Sequence, residues 1–278
     1  MTKIENKSYE EERALFGIKN AEIIGCKFSG KTDGESPLKE TENLKVKNCH
    51  FNLRYPLWHT TNLNLENCTF SKLSRAPFWY DKNIIIKDTQ SESVKVFREC
   101  KNIKLYNSTF ISEEPFWKNK KIYANSCEFS GFYGFFMCKN VELENLKFEG
   151  KYSFQYCKKV TIKNSVLDTK DAFWHSNSVY MENCTVKGEY IGWYSKNLVF
   201  VNCTIESHQP FCHAKNILLV NCKMPNSDLA FEDTSVKGNI IGGIESIKAP
   251  RKAHLKVGKV KEFVDMKKSR KVVIKTGE

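Results

Sequence analysis

Apolar residues in this chain fall on every second position over short stretches, and the stretches return at a regular distance. The pairs Leu44/Val46, Leu63/Leu65, Ile84/Ile86, Ile103/Leu105, Val141/Leu143, Val160/Ile162, Val179/Met181, Leu198/Phe200 and Ile217/Leu219 each skip one residue. A period of two predicts a strand with one buried face. Helical and leucine-rich repeats are excluded, because each unit would need a helical period somewhere.

A longer period organises the strands. One apolar slot reads Leu15, Leu38, Leu57, Phe78, Phe97, Phe116, Phe135, Phe154, Phe173, Gly192, Phe211 and Ala230, with steps of 23, 19, 21 and then 19 throughout. Repeats of this length mark a solenoid. Five residues after that slot stands an asparagine column, including Asn43, Asn62, Asn83, Asn102 and Asn197. A second column includes Asn48, Asn67, Asn107, Asn164, Asn183 and Asn202. Asparagine tolerates the left-handed backbone of a sharp corner, and stacked asparagines can bond from turn to turn. The slot after the second column is usually cysteine: Cys26, Cys49, Cys68, Cys127, Cys184, Cys203 and Cys222. Two positions later come Phe28, Phe51, Phe70, Phe110, Phe129 and Phe148, read together with the cysteines as core filler. The predicted fold is all-β, a single-stranded right-handed parallel β-helix of about eleven to twelve turns, since parallel crossovers are overwhelmingly right-handed.

Composition adjusts this picture in three ways. At 278 residues the chain reads as one β-helix domain, with 1–12 as N-terminal cap, 13–235 as turns and 236–278 as a basic C-terminal cap. Gly30 to Gly34 reads as a loop between turns. The formal charge is +12, and residues 236–278 hold twelve Lys/Arg against four Asp/Glu. Lysines there would keep the last strand from pairing with another molecule. The apolar face of the cap would be Leu255, Val257, Val260, Phe263, Val264, Val272, Val273 and Ile274. An anionic partner such as nucleic acid is the disfavoured reading of the same lysines. Eleven cysteines, with no secretory-type apolar segment in Met1 to Lys7, place the chain in a reducing, cytoplasmic setting with free thiols. No apolar run approaches the 18 residues of a membrane span, and no Cys-x-x-Cys or His-rich cluster indicates a metal or cofactor.

Candidate chemistry lies beside the Leu/Phe slot. All five tryptophans, Trp58, Trp79, Trp117, Trp174 and Trp193, occupy the next position, in file with Lys39, Arg98, Phe136 and Gln155. Turning that file inward would bury charges without partners, so an outward stripe is expected. Beside it run Glu40, His59, Tyr80, Glu99, Tyr156, His175, Tyr194 and His213. Contiguous exposed aromatics mark binding sites, and flat rings beside polar groups suit sugars. The substrate-binding set is therefore Arg54, Trp58, Arg75, Trp79, Arg98, Trp117, Trp174, His175 and Trp193. Arginines one turn apart can hold an anion, with Glu40 and His59 as the proton-transfer pair. A second patch joins Asp171, His175, His213, Asp228 and Glu232. Packing at a corner explains the tryptophans equally well, and an ordinary ion pair of Glu35 with Arg54 explains the arginine.

The Lys-Asn-aliphatic phrase, with Arg13-Ala14-Leu15-Phe16-Gly17, Gly34-Glu35-Ser36-Pro37-Leu38-Lys39-Glu40, Ala172-Phe173-Trp174 and Tyr190-Ile191-Gly192-Trp193-Tyr194-Ser195-Lys196-Asn197, resembles a bacterial family catalogued as domain-of-unknown-function family 3737. The resemblance spans the chain and implies a pectin-lyase-like right-handed β-helix. It brings no established activity. The wider superfamily includes polysaccharide lyases and hydrolases, which makes carbohydrate the expected ligand class. The chain lacks the clustered aspartates of polygalacturonase-like enzymes and an obvious calcium site like that of pectate lyases. An oligosaccharide ligand, with lyase or hydrolase activity left open, is the first reading. A non-enzymatic rod that binds a protein partner or a second copy is the alternative.

Overall fold

The structure, a computed structural model, describes residues 1–30 and 34–277. Of the inserted loop expected at 30–34, residues 31–33 lie outside the described residues. Two compact units divide the chain, residues 1–142 and residues 143–278. Both wind as right-handed parallel β-helix.

In residues 1–142 the main ladder runs through Thr2–Glu5, Lys19–Ile24, Glu42–Lys47, Thr61–Glu66, Lys82–Lys87, Lys101–Tyr106 and Lys120–Asn125, all parallel. Like residues face like: Ile84 pairs with Ile103, and Ile103 with Ile122. A second ladder joins Lys27–Phe28, His50–Phe51, Thr69–Phe70, Gln90–Ser91 and Thr109–Ile111. A third is confined to Phe78–Trp79, Phe97–Arg98 and Phe116–Trp117. The Leu/Phe slot points inward. Phe78, Phe97, Phe116 and Phe135 are buried and stack at 4.8, 4.8 and 4.3 Å between ring centroids. Leu15, in the first turn, is only half-buried.

In residues 143–278 the main ladder holds Lys158–Lys163, Asn177–Glu182, Lys196–Val201 and Lys215–Cys222. The segment expected as a cap then adds Ser235–Lys248, Lys252–Val264 and Lys271–Thr276, still parallel and in sequence order. Of its expected apolar face, Leu255 and Val257 are buried, whereas Phe263 and Val273 are 47% and 48% exposed. Parallel pairing therefore outlasts the sequence repeat, in strands of 14 and 13 residues against six to eight before them, with register shifts after Leu219 and after Ile240.

One register expectation needs correction. Phe231, and not Ala230, stacks over Phe211, at 5.9 Å. Each neighbour moves with it: the Ala214 N–H meets Thr234, twenty residues on, and His208 bridges Asp228. A single extra residue in this turn shifts its corner, and Ile217 opposite Val236 restores the 19-residue offset.

Corner chemistry follows the expected columns. Asn20, Asn43, Asn62, Asn83 and Asn102 all have φ between 53° and 59°. Their amides bond from turn to turn at 2.7–2.9 Å. Asn164, Asn183 and Asn202 repeat this at 3.2 and 3.3 Å. All eleven cysteines are buried and free. Their corner column does more than fill space. Cys49, Cys68, Cys184 and Cys203 donate from Sγ to the carbonyl two residues back at 3.2–3.3 Å. Thr89, Ser108 and Ser165 do so at the same slot. These carbonyls also accept a backbone N–H from the preceding turn, as Lys47 does from Gly25 and Glu182 from Asn164. The thiol or hydroxyl therefore fills the second lone pair, and Leu146 holds the same slot without a donor.

Candidate functional site

The tryptophan file is half-buried rather than outward. Its polar atoms explain why. Nε1 of Trp58 donates to the Ala76 carbonyl at 2.7 Å. Nε1 of Trp174 and Trp193 donates to the carbonyls of Tyr190 and Gln209, both at 2.8 Å. Gln155, in the same file but buried, reaches the Asp171 carbonyl with Nε2 at 3.3 Å. These side chains stitch one turn to the backbone of the next, so the sequence argument against turning the file inward was incomplete. A buried side chain there has a carbonyl to meet.

In residues 1–142 the file alternates cations with rings. Lys39 Nζ lies 5.6 Å from the Trp58 ring, Trp58 meets Trp79 edge-on at 4.9 Å, and Trp117 stacks on Phe136 at 4.3 Å. Arg98 sits between Trp79 and Trp117, its Cζ 5.5 and 5.0 Å from their rings. It is 12% exposed and ion-paired with Glu114. Burial pulls its guanidinium below the usual arginine range. The Trp79 Nε1 is buried without a hydrogen-bond partner. Arg54 pairs with Glu35 at 3.4 Å, the ordinary ion pair weighed against an anion site. Arg75 is exposed. Glu40 and His59 are also exposed, and no hydrogen bond joins them; His59 packs on Tyr80 at 5.0 Å. The first patch is thus assembled as a neighbourhood, without a proton-transfer contact.

Residues 143–278 use the same slots differently. Trp174 and Trp193 lie parallel, 5.4 Å apart with 4° between planes. Beside them Tyr156, His175, Tyr194 and His213 form a continuous stack, with spacings of 5.0, 5.2 and 4.9 Å and planes within 13°. Tyr156 and Tyr194 are each 44% exposed. Since the rings cover one another's faces, the exposed part of each is its rim. Tyr190 meets Trp193 on one side and His208 on the other, at 5.0 and 5.4 Å, both edge-on. His208 Nδ1 lies 2.9 and 3.0 Å from the two carboxylate oxygens of Asp228. That contact fixes the ring and leaves Nε2 for a ligand. His213 Nδ1 meets Asp233 at 3.3 Å. Asp171 has its carboxyl pushed up, by burial first and then by Glu189. Glu232 is tied to Gln209 at 2.7 Å and Lys248 at 3.0 Å.

One family accounts for the chain from nearly end to end. The family described as "Protein of unknown function (DUF3737)" matches residues 2–275. The chain belongs to it. No curated protein matches the sequence. Among solved structures it is similar to the Streptococcus pneumoniae surface adhesin PfbA, at 10% identity over 87% of this chain and 83% of that one, with TM-score 0.40. It is similar to the endo-xylogalacturonan hydrolase of Aspergillus tubingensis at 10% identity, over 99% and 91%, with TM-score 0.29. A third is the catalytic domain of a GH87 alpha-1,3-glucanase in complex with nigerose, at 10% identity over 98% and 63%, with TM-score 0.26.

For this family member, the sequence-predicted Trp174, His175 and Trp193 come together on one surface, as do Trp58, Trp79, Arg98 and Trp117 on the other unit. Of the second predicted patch, His175 and His213 flank Tyr194, while Asp228 joins a residue that sequence reasoning missed, His208. Asp233 was missed too. Both histidine–aspartate contacts span twenty residues, so a 19-residue ruler passes over them. Among the described residues no cluster of three or more His, Cys, Asp or Glu suits a metal ion. No helix among the described residues is long and apolar enough to cross a membrane.

Proposed function

We propose that the protein binds an extended saccharide chain along the aromatic–histidine surface of residues 143–278. The supporting observation is the Tyr156–His175–Tyr194–His213 stack, which sets one ring rim per turn at 4.9–5.2 Å. That spacing is close to the length of one pyranose unit. Phenol oxygens and imidazole nitrogens on the rims offer donors and acceptors to sugar hydroxyls. The half-exposed Trp174 and Trp193 supply apolar surface beside them. His208, oriented by Asp228, and Asp171, with its raised carboxyl, are the groups that would move protons if the bound chain were cleaved. Eleven buried free thiols support a reducing, cytoplasmic setting.

Titration of intrinsic tryptophan fluorescence with neutral and acidic oligosaccharides tests the reading. Saturable perturbation is expected, weakened about tenfold by His175→Ala with Tyr194→Ala, the loss of roughly one good hydrogen bond. A flat response across a broad panel, with a stable dimer on a sizing column, would instead assign the surface to contact between copies.

A further inference from the structure

On the main ladder of residues 143–278 lies a groove of about 760 Å³ that is separate from the aromatic surface. Lys237, Lys252, His254, Arg270 and Lys271 line it, with Val272 and Val273 among the apolar groups, and no carboxylate does. Register brings the charges together. Lys252 is directly opposite Lys271, and Lys237 opposite His254, on adjacent parallel strands. Neighbouring strands are about 4.8 Å apart. Like charges directly opposite each other destabilise a sheet.

Elsewhere the fold leaves some such charges opposed on open sheet, as with Lys82, Lys101 and Lys120 and with Lys196 and Lys215, and pairs others. Lys19 meets Glu42, Lys163 meets Glu182 and Lys170 meets Glu189 across turns. Within the same C-terminal segment Lys248, Arg251 and Lys261 have Glu232, Asp233 and Glu245. The five basic side chains of the groove make no ion pair among the described residues. What sets the groove apart from those open ladders is that four exposed cations and an imidazole share one concave surface with no carboxylate, which focuses a positive potential there.

We infer that this groove binds a compact anion carrying two or three phosphates. Its volume is that of a small-molecule site. No aromatic side chain lines it, so it has no platform for stacking a base, and recognition rests on charge. Lysines and an arginine converging on one groove match clustered phosphate oxygens. This inference stands apart from the saccharide reading, because the two surfaces share no residue.

Tripolyphosphate is the probe, titrated calorimetrically into the full chain at low ionic strength. Saturable binding with one equivalent is expected. Lys252→Gln with Lys271→Gln should weaken it about a hundredfold, two charge-assisted contacts at about tenfold each. Lys261→Gln, outside the groove, should leave it unchanged. Because the groove cations repel, the double variant should also unfold at an equal or higher temperature without ligand, which separates lost binding from lost folding. Absence of binding at millimolar tripolyphosphate, or equal binding by the double variant, overturns the assignment. So does a single-stranded oligonucleotide that binds more tightly with increasing length, since the groove would then serve a polymer.

Discussion

The two units spend the same positions of the same repeat on different chemistry. In residues 1–142 the file after the Leu/Phe slot interleaves Lys39 and Arg98 with tryptophans, and its outer neighbours Glu40, His59, Tyr80 and Glu99 mix charges with single rings. In residues 143–278 the file carries Trp174 and Trp193 in parallel, and its outer neighbours form an unbroken Tyr–His stack. Arg98 is held by two rings and a carboxylate, so the central cation of the first surface is neutralised internally even though Nε1 of Trp79 has no partner. The second leaves ring rims free for something else. A solenoid can thus hold its fold constant and change only what a slot presents.

The interior shows the same contrast, and the largest expected effect lies there. Three positions after the Leu/Phe slot, residues 143–278 have Ser176 and Ser195, neutral and hydrogen-bonded to the carbonyls of Phe154 and Gly192. Residues 1–142 have Asp81, fully buried, with one oxygen accepting from the Thr60 N–H at 2.7 Å and Oδ2 unpartnered. Burial raises its carboxyl well above the ordinary 3.8. Asn119, two turns on, occupies the slot with both ends satisfied, accepting from the Cys100 N–H and donating to the Phe97 carbonyl. The folded chain therefore keeps a proton that the unfolded chain loses above pH 3.8. Stability from this group is complete below that value and falls as pH rises toward the folded pKa. The slope is about 1.4 kcal/mol for each pH unit in which the two states differ by one proton. Asp81→Asn should abolish this slope and stabilise the protein more at pH 7 than at pH 4, measured by urea unfolding at both. An equal effect at the two pH values would place a charged carboxylate in the core.

Next in size is Arg98→Ala, which removes the sandwiched cation and leaves Glu114, 25% exposed, unpaired, at about 2 kcal/mol, between the cost of an exposed and of a buried pair. Arg98→Met keeps the packing stem and should cost less when Glu114→Gln is made with it. If Arg98→Ala costs under about 1 kcal/mol, the value of an exposed pair, the central cation of the first surface is not held as described. No residue of the second unit's stack should approach this cost, since His175 and Tyr194 lie at the surface.

How much of this was legible in the sequence depends on whether a feature repeats as a side chain. Alternation in Ile84/Ile86 and its counterparts, the asparagine columns and the cysteine corners each recur at the same slot, so strands, turns and parallel stacking could be read directly. The role of tryptophan could not, because Trp58, Trp174 and Trp193 donate to backbone carbonyls, which leave no residue pattern. His208–Asp228 and His213–Asp233 were hidden by one inserted residue that shifts the local offset to twenty. The strands after residue 235 escaped because their pairing persists after the consensus residues are gone. Backbone hydrogen bonds and a buried apolar face of Val236, Ile240, Ile244, Leu255 and Val257, set at other spacings, extend the ladder there.

The smallest effect separates the two roles of the tryptophan file. Trp174→Phe keeps an aromatic ring near Trp193 but deletes the Nε1–H that meets the Tyr190 carbonyl. Loss of one such bond should cost about 1 kcal/mol, seen as a lower urea midpoint with an unchanged slope. If the tryptophans are stitches first, this variant loses stability while retaining saccharide binding on the Tyr–His rims. Loss of binding without loss of stability would reverse that order and make the Trp174 indole, rather than the Tyr–His rims, the main ligand contact. The matching change in the first unit, Trp58→Phe, deletes an equivalent bond to Ala76 and should cost a similar amount. Any excess would measure what Lys39 gains from the larger indole face, a contribution of about 0.5–1 kcal/mol for a half-exposed cation.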